Sequence, residues 1–171
     1  MGRRTASLIQ EGPGMRFTAR TGSGHEIVID DAAGDEGARP AELVGLAVAA
    51  CSAMDVISIL RKKRQDVTRY EIKSIAEQRD GAHPAIFTRI DIIHVVEGPA
   101  VAVEAVRRAI ELSATRYCSV GGTLATGVTE IHHRYIVRTN GDEVMGEVVV
   151  TGPHERPETL GSGAGLAVHP G

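Results

Sequence analysis

The stretch Val44–Leu60, VGLAVAACSAMDVISIL, decides how this chain is organised. Pro40 precedes it, suited to a first helical position because its missing N–H has no intrahelical partner there. The run Arg61-Lys62-Lys63-Arg64 follows, and cations at that end offset the negative pole of a helix dipole. One long helix from Pro40 to about Arg64 is therefore predicted. Its apolar residues surround the axis instead of forming one stripe, which calls for burial on nearly every side. Gly45, Ala47, Ala49, Ala50, Ser52 and Ala53 are small enough to let a neighbouring element approach closely. A domain of this size rarely encloses such a helix alone, so a homodimer with the helix and its symmetry mate at the centre is expected. Packing, however, does not require the thiol of Cys51 or the carboxylate of Asp55 one turn later.

The 171 residues suffice for one domain with a real core, placed at residues 1–140, with a Gly/Pro-rich tail over 141–171. Residues 146–171 hold six Gly and three Pro, apart from a possible short strand over 147–150. Aromatic residues make up only 3% of the chain, so the core has to be aliphatic. Nineteen Lys and Arg against 22 Asp and Glu, interspersed, speak against nucleic acid as a partner. The longest uncharged run, Leu43 to Met54, is 12 residues, short of the roughly 20 that a membrane span needs. The N-terminal MGRRTASLIQEGPG lacks the apolar stretch of a secretory signal. A cytoplasmic protein without membrane association is expected, and two cysteines are too few for a disulfide framework.

Alternation and turn residues predict strands at 5–10, 15–21 and 25–30, the last two joined through Gly22-Ser23-Gly24. The acidic loop Asp30 to Pro40 leads into the helix. Two further strands are predicted over 70–79 and 86–97, with Ile86, Ile90, Ile92 and Val96 on one face and Arg89 and Asp91 on the other. A second helix over 99–119 follows, with Val103, Val106, Ile110 and Tyr117 as its apolar stripe. Cys118 falls at its end, against the Gly121-Gly122 turn. A last strand spans 128–137, so that the adjacent His132 and His133 point to opposite faces and suit no metal site. The order of elements is that of an α+β fold with mainly antiparallel sheet.

A thiol reacts as thiolate, and little of an ordinary cysteine is ionised at neutral pH. Asp55, on the same helical face as Cys51, disfavours ionisation unless a cation such as Arg116 compensates. A buried cysteine is also commonly no more than a small hydrophobe. Cys118, at a helix end beside two glycines, is placed where a resolving thiol reaches another sulfur.

RPAELVGLAVAACSAMDVISILRKKRQDV (39–67) and ELSATRYCSVGGTLATGVTEIHHRYIV (111–137) together resemble the OsmC/Ohr family of thiol-dependent peroxidases, nearest its YhfA-like branch. The resemblance covers about residues 15–137. It implies an OsmC-like fold in which antiparallel sheets wrap two long central helices in an intertwined homodimer, with active sites at the subunit interface. By resemblance, Cys51 matches the peroxidatic cysteine that attacks an organic hydroperoxide, and Cys118 the resolving cysteine that forms a disulfide with it. A dithiol of lipoyl type would reduce that disulfide, and no cofactor is implied. Glu42 matches the glutamate that holds an arginine against the reacting sulfur. Nine residues separate Glu42 from Cys51, about 900° of turn and 13 to 14 Å along a straight helix, so unless the helix begins late or bends the two belong to opposite faces, which fits a meeting across an interface. The family arginine has no assigned counterpart; Arg39 in the loop and His25 at the hairpin tip are candidates, with Asp55 as a further supporting group. Without such a cation the alternative is a non-catalytic dimer that binds an apolar ligand or senses redox state.

Overall fold

A computed structural model describes residues 2–153. The element order is β1 (Ala6–Gln10), β2 (Phe17–Thr21), β3 (Glu26–Ile29), α1 (Pro40–Lys62), β4 (Arg69–Gln78), β5 (Phe87–Glu97), α2 (Val103–Leu112), a π-helical turn (Ser113–Tyr117), α3 (Ser119–Ala125), β6 (Glu130–Thr139) and β7 (Asp142–Thr151). The fold is mixed α+β with two sheets and three α-helices. The predicted strands and the long helix all occur, displaced by at most two residues. The chain divides into two compact units, one ending at Leu46 and one beginning at Ala47, with α1 starting in the first and running through the second.

The first unit is an antiparallel meander, β1-β2-β3, with Phe17 opposite Ile29 and Ala19 opposite Ile27. Its second hairpin turns at Gly24, whose φ of +88° suits a residue without a Cβ. Asp30 organises the acidic loop: its carboxylate accepts the N–H groups of Asp31 at 2.8 Å and Glu36 at 3.3 Å.

The second unit is a sheet of order β4-β5-β6-β7 carrying α1, α2 and α3. Three of its features correct the sequence reading. The sheet is not wholly antiparallel, because β5 and β6 pair in parallel. The two strands are joined through α2, the π-turn and α3 and not by a tight turn, and a crossover of that length brings the next strand back in the same direction. The pair Gly121-Gly122, read as a turn, lies inside α3. Residues 142–151, assigned to the loose tail apart from a possible short strand over 147–150, form a full strand on β6, with Val148 and Val150 buried. The rest of that assigned tail, from residue 154, lies outside the described residues.

The second helix also differs from its expected course. It is α-helical only to Leu112 and widens into a π-turn, in which the Cys118 N–H donates to the carbonyl of Ser113 at 2.9 Å. The extra residue shifts the phase of everything after it. Tyr117, expected on the apolar stripe with Val103, Val106 and Ile110, consequently faces outward and is 56% exposed.

Two apolar clusters make up the core of this unit. Val56, Leu60, Val96, Val106, Ile110 and Val137 centre one; Val48, Ala49, Ile90, Ile92 and Ile131 centre the other. α1 supplies Val48, Ser52, Val56 and Leu60 at strict four-residue spacing, a single buried stripe. By length and composition it is apolar enough to cross a membrane, but here this stripe is core. Burial on nearly every side is not seen in the single chain, since Leu46 and Met54 are 59% and 72% exposed. The basic run caps the helix as expected, with Arg61 and Lys62 in the last turn.

Because β7 supplies Val148 and Val150 to the interior, ending the chain after Asn140 should abolish cooperative unfolding in a thermal melt. A loose tail over 141–153 would leave the melt unchanged.

Candidate active site

Between the two apolar clusters lies a band of polar side chains. α1 brings Cys51, Ser52 and Asp55 to it within slightly more than one turn. The sheet contributes Tyr70 from β4, His94 from β5 and His133 from β6, and the π-turn contributes Ser113 and then Cys118. Ser52, His94 and Ser113 are fully buried, and each is hydrogen-bonded, as the cost of an unpaired buried polar group requires.

The Tyr70 hydroxyl meets His94 Nδ1 at 2.7 Å, and the two rings stack with centroids 6.0 Å apart. His94 Nε2 meets Ser52 Oγ at 3.4 Å, and Ser52 Oγ meets Ser113 Oγ at 3.2 Å. Ser113 in turn donates to Asp55 Oδ2 at 3.0 Å. Asp55 was expected to need a cation. It has a serine hydroxyl instead, and it forms no ion pair among the described residues; Arg116 is exposed and likewise unpaired there.

Cys51 and Cys118 are near enough for the side chain of one to act on the thiol of the other. Both are free, Cys51 half-buried and Cys118 buried. Cys118 is held as a neutral thiol: burial raises its pKa, the neighbouring Cys51 and the charge of Asp55 raise it further, and the Gly121 N–H opposes them. That N–H donates to Cys118 Sγ at 3.3 Å. The close approach depends on glycine, since a Cβ at position 121 would stand 3.2 Å from the sulfur.

Glu42 and Arg39 form a cluster of their own in the first unit. Glu42 accepts the backbone N–H of Arg39 at 2.9 Å, half of a capping box at the start of α1. The Arg39 guanidinium bonds Glu42 at 3.2 Å and Asp35 at 3.1 Å. These bonds from Arg39, the backbone one first, lower the Glu42 pKa. His25 is exposed at the hairpin tip, and its side chain makes no hydrogen bond among the described residues. Beside Arg39 an apolar cleft of about 310 Å³ opens between Met15, Phe17, Ile29 and Pro40. A larger cleft of about 550 Å³ in the second unit is lined by Glu97, Arg138 and Glu143, whose charges pair with one another. Among the described residues no group of three His, Cys, Asp or Glu side chains is arranged to hold a metal ion.

Sequence reasoning missed Ser52, Tyr70, His94 and Ser113 as members of one polar band. One signal was present: His94 interrupts the inward face Ile90, Ile92, Val96 of β5.

The family model described as OsmC-like protein matches residues 33–134. Protein YhfA of Escherichia coli (strain K12) is 42% identical over 124 residues, which cover 72% of this chain and 92% of that protein. An OsmC-like protein from Mycoplasma pneumoniae superposes with a TM-score of 0.69 at 13% identity, over 80% of this chain and 97% of that one. An organic hydroperoxide resistance protein from Elizabethkingia anophelis superposes with a TM-score of 0.56 at 15% identity, over 82% and 98%.

Burial pushes the pKa of His94 down to about 3 and that of His133 to about 4, with a neighbouring histidine adding to each. In the unfolded chain both titrate near 6.5. Below that pH the unfolded state takes up protons that the native state refuses, so stability falls as pH drops from 6.5 towards the native values. At pH 5 the loss is about 2 kcal/mol per histidine. Urea unfolding at pH 7 and pH 5 should show this drop, and His133→Leu should remove part of it.

Proposed function

The chain belongs to the OsmC-like family, and from that premise we propose that it is a thiol peroxidase that reduces organic hydroperoxides through Cys51 and Cys118. The observation that carries this reading is the meeting of the two thiols, one reachable and one buried with its proton held in place. The Cys51 thiolate attacks the hydroperoxide, the O–O bond breaks, and the electron pair leaves on the alkoxide, which takes up a proton to become the alcohol. Cys51 is left as a sulfenic acid. The Cys118 sulfur then attacks Cys51, the S–O bond breaks, and the hydroxyl leaves as water with the Cys118 proton. A dithiol of lipoyl type returns both thiols and is itself oxidised to a disulfide.

Arg39 is the cation this chemistry calls for, to stabilise the departing oxygen. Glu42 fixes it on the wall of an apolar cleft suited to the hydrocarbon part of a hydroperoxide. Glu42 and Cys51 lie on opposite faces of α1, so in this reading Arg39 and Glu42 of one protomer serve Cys51 of the other in an intertwined homodimer around paired α1 helices. Proteins of this family are typically dimeric. The exposed apolar face of α1 at Leu46 and Met54 supports the same arrangement. In this reading the protein works in the reducing cytoplasm, where the dithiol is supplied.

Stoichiometric cumene hydroperoxide should convert the protein to a Cys51–Cys118 disulfide, seen as a loss of two hydrogens by mass spectrometry, and Cys51→Ser should abolish peroxide consumption. Arg39→Gln should lower turnover by about 100-fold, the scale of losing one charge-stabilising group. A wild-type protein that leaves peroxide untouched in the presence of a dithiol would overturn the proposal and favour a redox-sensing or ligand-binding dimer. Met54→Glu, which puts a charge on the exposed face of α1, should convert the dimer to monomer in sedimentation analysis.

A further inference from the structure

Tyr70, His94, Ser52, Ser113 and Asp55 are not consumed by the chemistry proposed above, yet they are joined end to end. The direction of every bond in this chain follows from its last member. An ionised carboxylate only accepts, so the one proton of Ser113 is committed to Asp55. Ser113 Oγ must then accept from Ser52. The Ser52 proton is committed in turn, so Ser52 Oγ accepts from Nε2–H of His94. A neutral imidazole carries a single N–H, so Nδ1 of His94 is bare and accepts from the Tyr70 hydroxyl. Burial and the charge of Asp55 raise the Tyr70 pKa, so the phenol keeps the proton it donates. Four bonds run one way, and a carboxylate on the helix dictates the tautomer of a histidine in the sheet.

Ser113 is also the first residue of the π-turn, and its carbonyl accepts the N–H of Cys118. Asp55 thus holds by the side chain the residue that holds Cys118 by the backbone. We propose that Asp55 is a positioning residue of the redox site: acting through Ser113, it fixes the turn that presents the Cys118 sulfur to Cys51, at the end of a donor chain whose polarity it sets. This rests on reading Cys51 and Cys118 as a redox pair, but not on a peroxide being the oxidant. A turn that relaxes by a fraction of an ångström loses alignment between the two sulfurs, and ring closure slows.

The test uses the full chain and needs no peroxide. In long-range proton–nitrogen correlation spectra at pH 7, His94 is expected as the neutral Nε2–H form. Asp55→Asn gives Ser113 an N–H donor, lets the chain reverse, and should populate the Nδ1–H form. In parallel, 4,4′-dithiodipyridine releases one thiopyridone when its S–S bond is broken by Cys51. It releases a second when the Cys118 sulfur displaces it from the mixed disulfide, the Cys118 proton leaving with the thiopyridone. In Asp55→Asn the second release should slow by about tenfold or more relative to the first, and Asp55→Glu should recover part of the rate. An Nδ1–H His94 in the wild type overturns the chain. An unchanged ratio of second to first release in folded Asp55→Asn overturns the positioning role. Should Asp55→Asn not fold, the wild-type tautomer and the release ratio of Ser113→Ala decide the same two points. Passing both tests while consuming no peroxide would sink the peroxidase reading alone.

Discussion

The hydrogen bond from Ser113 to Asp55 ties the middle of α1 to the π-turn, at the level where the two apolar clusters of the second unit part. On one side Val48 and Ala49 pack with Ile90, Ile92 and Ile131; on the other Val56 and Leu60 pack with Val96, Val106 and Ile110. Apolar packing alone does not fix how those two clusters sit along the helix, because aliphatic contacts are non-directional. The polar band between them does, since each buried hydroxyl and imidazole in the chain must find its partner at one distance and angle. His133 departs from this rule: it is buried with neither ring nitrogen hydrogen-bonded among the described residues, and we have no physical account of it.

The same band gives the two thiols different surroundings. Cys51 stands on the helix with part of its surface open, while Cys118 is enclosed and protonated, its sulfur braced by the Gly121 N–H. Arg39 and Glu42 belong to a different local logic, that of a helix start: a reach-back from Glu42 to the backbone and a salt bridge to the guanidinium fix an otherwise flexible side chain. The residues that stabilise the first turn of α1 are thus the ones that hold a cation in a defined direction.

Much of this was legible beforehand, and the misses have identifiable causes. α1 announced itself through Pro40, its apolar run and its basic end, and β5 and β6 through alternation, because both patterns are written at the period of the element. The parallel pairing of β5 with β6 was not legible, because it depends on what lies between them, and Gly121-Gly122 concealed α3. β7 showed only as a possible short strand over 147–150, because Gly146 and a composition shared with the residues that follow obscured the rest. Cys51, Cys118 and Glu42 were singled out through the two long motifs that resemble a family, and Arg39 only as one of two candidates for an arginine those motifs did not place. Ser52 and Ser113 were not, since a serine on a helix of small residues looks the same whether it is packing filler or one step in a hydrogen-bonded chain.

The π-turn makes the site sensitive to chain length as well as to residue identity. Each residue in a helix advances the direction of its successors by about 100°, and the π-turn already absorbs one residue beyond an α-helical turn, so one residue more between Ser113 and Tyr117 would swing Cys118 away from α1 even if every side chain were kept. Substitutions in this segment leave the count intact; an insertion or deletion does not. Among relatives of this chain, an added residue within 113–117 would therefore mark a protein whose second cysteine is kept in the sequence but turned away from the helix that carries the first.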